Sequence, residues 1–383
     1  MRGISWYSVA GGLGWLALLF SCGCGGFSNG AGDQSAKNIY AYIVEDDSAQ
    51  SATAAQFQVS NTGTVTPLAP TPVTVSFWLR SFTADSTGQF VYALSDMNPL
   101  IPADIQQFVI GSDGSLSPNA VPTFQGGLGF GSLVSVARCH CEIATNSGDD
   151  TVSSYSVSSS GTLSLVNTVP GGISPFLAAA DATGQYVFVA SYVSYDPNSP
   201  FLISEYNIAT DGTLTPMVNF EMALLPMSMT VSPKGLLYYV EDVSTYAGAA
   251  GSIVVFSVNS TNGGVSILNS IATSDGFPLW IAFDPTGSYA YVSNSGSLSV
   301  SQFKVDSANG ALTSNGPDVT TGIGPTRAVV DPTGSFLLVT VQGTNNTISP
   351  QLLSFAINPD GTLGTVSATP LAAYPTSITL VQK

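Results

Sequence analysis

Basic residues are scarce in this chain of 383 residues: eight Lys and Arg stand against 24 Asp and Glu, for a formal net charge of −16. Nucleic acids are held by Lys and Arg that neutralise phosphates, so that partner class is excluded. A pocket dedicated to a phosphorylated substrate is hard to build for the same reason. The sequence holds one histidine, His140, and four cysteines, Cys22, Cys24, Cys139 and Cys141. That supports no disulfide framework. Three adjacent ligands in Cys139-His140-Cys141 cannot surround one ion tetrahedrally, so no metal is expected there. No Cys-x-x-Cys-His haem-attachment motif and no Asp-x-Asp-x-Asp-Gly calcium loop occurs, and no cofactor is expected. Nor is there an apolar run long enough to span a bilayer: Val9 to Phe20 is the longest at the N-terminus, with twelve residues.

Apolar residues supply 44% of the chain and charged residues 8%, with 39 Gly and 23 Pro. This is the composition of a turn-rich, all-β globular protein. The N-terminal run follows a single charge, Arg2, and ends in Leu19-Phe20-Ser21-Cys22. It reads as an export signal. Leu three before Cys22, a small residue just before it and a Gly/Ser/Asn stretch after it resemble a bacterial lipobox. Cys22 is the expected lipidation site and Cys24 the alternative. The expected organisation is a signal peptide over 1–21, a tether over 22–37 and one domain over 38–383. A lipid anchor makes the bilayer a partner. The Gly after Cys22 points to an outer membrane, and a monomer is expected.

A repeat sets the architecture. Seven segments carry an aromatic residue, Val or Ile two further on, then a Gly and an apolar residue; Tyr206-Asn207-Ile208 leading to Gly212-Thr213-Leu214 is typical. The aromatics Phe57, Phe108, Tyr155, Tyr206, Phe256, Phe303 and Phe355 lie 51, 47, 51, 50, 47 and 52 residues apart. In the fifth segment the Gly assigned is Gly264. A second motif interleaves: Asp-x-Thr-Gly at Asp85, Asp181, Asp284 and Asp331, with Ser232-Pro233-Lys234-Gly235 as a variant. Asp accepts local N–H groups and Gly takes positive φ, so this is a tight turn between strands. Each unit of about 50 residues then holds four strands, the repeat of a β-propeller. The first unit starts at its second strand, Tyr40-Ala41-Tyr42-Ile43. The last segment, Pro375 to Val381, is a lone inner strand. Pairing the two closes a seven-bladed ring.

The interleaved Asp-Pro-Thr-Gly, Tyr-x-Tyr-Val-x-Asn and Phe-x-Val-x-Gly-x-Leu stretches resemble the bacterial lactonase-type propellers, the group that includes 6-phosphogluconolactonase. The resemblance implies a seven-bladed propeller and lactone hydrolysis at the face carrying the long connections. A Gly-Pro-Arg-His-type stretch at an inner-strand start and an acid after a second strand would carry the chemistry. Gly324-Pro325-Thr326-Arg327 matches with Thr326 in the Arg slot and Arg327 in the His slot. The other inner-strand starts offer Ser81, Leu177, Ser228, Trp280 and Ser377 there. Glu241 matches the acid. On this reading Glu241 is the base and Arg327 its positive partner, with Glu45, Asp96, Asp242 and Arg80 as ligand-binding candidates. Glu45, Asp46, Asp47, Asp96, Glu241 and Asp242 all follow second strands, so a solvated acidic rim is expected on that face. The family's His is missing, which leaves a non-catalytic envelope propeller, binding a glycan, peptide or protein, as the competing reading. Arg138-Cys139-His140-Cys141 replaces the Asp-x-Thr-Gly turn of the third unit and reads as a degenerate turn.

Overall fold

A computed structural model of the chain describes residues 38–46, 52–68, 72–76, 79–95, 102–129, 131–194, 199–242, 251–259, 261–273, 277–343 and 348–383. Among them there are seven antiparallel sheets and no helix. Blade 1 takes the C-terminal strand Tyr374–Gln382 as its inner strand, followed outwards by Ile39–Asp46 and Ala52–Val59. Blades 2 to 7 begin with the inner strands Leu79–Ala84, Leu133–Val136, Ile173–Ala180, Leu225–Val231, Pro278–Phe283 and Pro325–Val330. In blades 1 and 6 the outer strand comes in two pieces, which pair with the same third strand. Inner strands of neighbouring blades contact one another in order around the ring, the C-terminal strand lying between those of blades 7 and 2.

The closure expected from the sequence is present. Tyr40 pairs with Val381, Ile43 with Ile378 and Val44 with Ser377. A ring closed this way leaves no pair of open sheet edges at its ends.

The core is divided among the seams. Among the described residues there are seven apolar clusters, and each combines side chains from two adjacent blades. Second strands are therefore buried on both faces, which is why Tyr289-Ala290-Tyr291-Val292 is a nearly continuous apolar run instead of an alternating one. Odd and even residues serve different seams: Tyr239 packs towards blade 4, Tyr238 towards blade 6.

Both repeat motifs have a packing role. Asp331 accepts N–H groups from Thr333, Ser335 and Phe336 and the hydroxyl of Thr333, and Asp85 does the same in its turn. The turns at Gly63, Gly114, Gly161, Gly263 and Gly361 receive an aromatic ring from the preceding blade, whereas Gly212 meets Ser154, Cys141 and Val166. Tyr289 lies so close to Gly361 that a Cβ there would meet the ring at 2.0 Å, and Gly361 has φ +80°. Four second-strand tyrosines then donate across the seam to that turn's carbonyl: Tyr42 to Gly114, Tyr92 to Gly161, Tyr238 to Gly310 and Tyr291 to Gly361, at 2.7–2.9 Å. One turn differs from the expectation. In blade 5 the left-handed glycine is Gly263 (φ +77°), not Gly264. With Gly263 the blade regains the same Gly-x-apolar spacing as the others.

Candidate functional site at the loop face

The inner strands begin irregularly. In six blades the pairing of inner and second strands shifts at this end, for example between Pro226 and Ser228, Pro278 and Trp280, and Pro325 and Arg327. Proline has no N–H to give the ladder, so a bulge beside it leaves fewer groups unpaired. The bulge re-aims the next residue, and that residue occupies the slot read from the sequence.

Three residues at this place link neighbouring blades: Ser81, Ser132 (the equivalent position in blade 3) and Arg327. The hydroxyl of Ser81 donates to Leu133 O and accepts from Leu133 N in the next blade, both at 3.2 Å. Ser132 accepts from Ala178 N of the next blade at 3.1 Å. Arg327 follows the same rule on a larger scale. Its Nε donates to Thr376 O of blade 1 at 3.5 Å, while its guanidinium lies 4.3 Å from the ring centre of Trp280 in blade 6. It is buried, at 9% exposure. It also lies beside Tyr374, whose hydroxyl burial holds above its ordinary range and the Arg327 charge draws partly back. One side chain thus links three blades at the mouth of the channel.

Glu45 and Glu241 occupy equivalent places. Each is the last residue but one of a second strand and sits opposite the proline of an inner strand, Pro375 and Pro226 respectively. The other blades place Ser95, Asn146, Ser191, Asn294 and Val341 there. The expected solvated rim is not what these two acids form: they are 3% and 5% exposed. Ser252 donates its hydroxyl to Glu241, and Ala372 N donates to Glu45 Oε1 at 3.2 Å. Burial holds both carboxyls above the usual carboxylate range, and each hydrogen bond draws the value partly back. For Glu241 the cause is burial, not a charge on Glu45. Tyr239 on the same sheet face is raised well above its ordinary value, first by burial and then by the Glu241 charge.

Glu241 and Arg327 stand in blades 5 and 7, each engaged with its own neighbours. Asp242 pairs with Leu225 and Arg80 falls at the bulge of blade 2; only their backbones are described. Asp96, Cys22 and Cys24 lie outside the described residues. Sequence reasoning missed the half-buried aromatic cluster at the same end of blade 4, where Tyr192 lies 5.3 Å from Phe176 and 5.2 Å from Phe201. Its members come from three strands, and no linear motif joins them. Arg138-Cys139-His140-Cys141 forms the turn expected of it between the inner and second strands of blade 3, and the two cysteines are joined there by a disulfide. Among the described residues no group of three or more His, Cys, Asp or Glu is placed to hold a metal ion.

Residues 280–380, which run from blade 6 to the closing strand, match the family model described as lactonase, 7-bladed β-propeller. No curated protein matches the chain in sequence. Among solved structures, a candidate 6-phosphogluconolactonase of Bacteroides fragilis superposes with a TM-score of 0.72 at 19% identity, covering 91% of this chain and 99% of its own. One from Bacteroides uniformis gives 0.71 at 19%, covering 90% and 99%. The periplasmic gluconolactonase of Pseudomonas aeruginosa gives 0.69 at 16%, again covering 90% and 99%. The sequence likeness to the lactonase propellers is confined to residues 280–380, and the rest of the chain shares the seven-bladed fold of these structures at 16–19% identity.

Proposed function

We propose that this is an exported propeller, lipid-anchored through Cys22, whose loop face binds an uncharged or cationic envelope ligand instead of hydrolysing a lactone. The observation that carries the reading is the state of Arg327. It fills the slot where the family's imidazole would stand, yet its guanidinium is committed to Trp280 and to Thr376 O. Lactone opening needs a base that water can reach and a donor aimed at the developing oxyanion. Glu241 is 5% exposed and takes a hydrogen bond from Ser252. The net charge of −16 also disfavours a sugar phosphate.

A second reading keeps the family chemistry for a neutral lactone. It is favoured by the carboxyl of Glu241, which burial raises towards the range of a general base. The likeness to a periplasmic gluconolactonase, at 16% identity, is compatible with it. One experiment separates the two. Wild type and Glu241→Gln are assayed on phosphorylated and neutral lactones, with melting temperatures measured beside them. Binding alone predicts no turnover by either protein. Catalysis by Glu241 predicts a loss of about 10² to 10⁴ in rate on substitution, the contribution of a positioned base. Anchoring is tested with radiolabelled fatty acid, which should appear on the wild-type chain and vanish in Cys22→Ala. Labelling lost only in Cys24→Ala would move the anchor.

A further inference from the structure

We propose that Cys139-His140-Cys141 is a thiol–disulfide exchange site on the turn face, accepting electrons from a dithiol. The bonded pair sits where blade 3 turns from its inner strand into Cys141–Asn146. In blades 2, 4, 6 and 7 an Asp side chain organises this turn. Here the cross-link does so, and His140 takes the left-handed conformation (φ 50°) that glycine holds in the other blades. The bond spans a sequence separation of two. A disulfide constrains the unfolded chain less the shorter the loop it closes, so this one contributes least where structural disulfides contribute most.

The two sulfurs are unequal. Cys141 is 1% exposed and packed in the seam with blade 4, while Cys139 is only half-buried. An incoming thiolate therefore meets Cys139 Sγ. Between them, His140 is partly exposed and its Nε2 lies 3.5 Å from Asp85 Oδ2, a carboxylate whose side chain has no exposure. Asp85 is the organiser of blade 2's own turn. His140 and Asp85 thus set polar groups beside a bond whose other side is the apolar seam.

The steps balance. The external thiolate attacks Cys139 Sγ, the Cys139–Cys141 bond breaks, and Cys141 departs as a thiolate that takes up a proton. The second thiol of the reductant then displaces Cys139. The protein gains two electrons and two protons, and the dithiol becomes a disulfide.

To test it, the full-length protein is equilibrated across ratios of oxidised to reduced dithiothreitol. Free thiols are then alkylated and the peptide holding residues 139–141 is weighed, with circular dichroism recorded alongside. The expected result is a change from cross-linked to doubly alkylated peptide while the propeller spectrum stays constant. In Cys141→Ser, Cys139 should take up glutathione from its disulfide; in Cys139→Ser, Cys141 should do so roughly tenfold more slowly, as burial withholds its thiolate. Alkylation only after the spectrum shows unfolding would overturn the proposal, as would two free thiols at the oxidising end. If a serine variant fails to fold, the wild-type titration decides alone.

Discussion

Replacing Glu205 by Gln should stabilise the propeller above neutral pH and leave it unchanged in acid. Glu205 lies in the third strand of blade 4, paired with Phe188 and fully buried. Blades 1, 2 and 6 place a glutamine at this position: Gln56, Gln107 and Gln302. Each accepts from a backbone N–H of the next blade's outer strand: Leu116, Leu163 and Leu363, at 2.6–2.9 Å. Val265 is the corresponding residue for blade 4, but neither oxygen of Glu205 has a hydrogen-bond partner. Burial pushes its carboxyl from 4.5 up to about 7. No charge assists or opposes it; Tyr186, which meets the same glycine turn, is the titratable neighbour. The sign follows from linkage. Between pH 4.5 and about 7 the unfolded chain releases this proton while the folded one keeps it, so stability falls as pH rises. The loss is complete above pH 7 and amounts to at most about 3 kcal/mol. Glu205→Gln keeps the volume and removes the titration. Urea denaturation at pH 4.5, 6 and 8.5 should show the variant gaining on wild type only at the higher values. Parallel pH profiles for the two proteins would refute the argument.

Removing residues 374–383 deletes the inner strand of blade 1 and exposes Ile39–Asp46 as an edge; soluble expression should collapse, and a truncated chain that melts like the whole one would disprove the closure. Gly361→Ala adds a Cβ at 2.0 Å from the Tyr289 ring at φ +80°, so thermal unfolding should show a loss of roughly 2–5 kcal/mol from strain and overpacking together. Tyr291→Phe removes the 2.9 Å bond to Gly361 O across the seam of blades 6 and 7 and should cost about 1–2 kcal/mol in denaturant unfolding. Arg327→Ala should destabilise the fold by about 1–3 kcal/mol, through lost stacking on Trp280 and the lost bridge to blade 1, and lower the melting temperature accordingly; an unchanged melt would argue that this arginine is held for a ligand instead.

Much of this molecule is determined locally, and local order is what a sequence carries. Asp331-Pro332-Thr333-Gly334 builds its turn from its own N–H groups, so its meaning survives without the rest of the chain. Repeats of about 50 residues with four strands each can bury their faces only by stacking, so the motif spacing determined the blade, the blade number and the partner of the lone last strand. Tertiary packing decided what the polar residues do. The sequence puts Glu45 and Glu241 just after second strands and the structure puts them one residue inside the strand ends, but whether a carboxylate there meets water depends on how deep the neighbouring blade lies. Arg327 is the nearest match to the family slot, yet its partners Trp280 and Thr376 are 47 residues before it and 49 after it, in different blades. Glu205 is one residue among charges in the sequence and becomes a buried, unpartnered carboxyl only because blade 5 closes over it. Position along a strand is set by the chain itself; burial and partners are set by the seam between two blades, and no single repeat contains a seam.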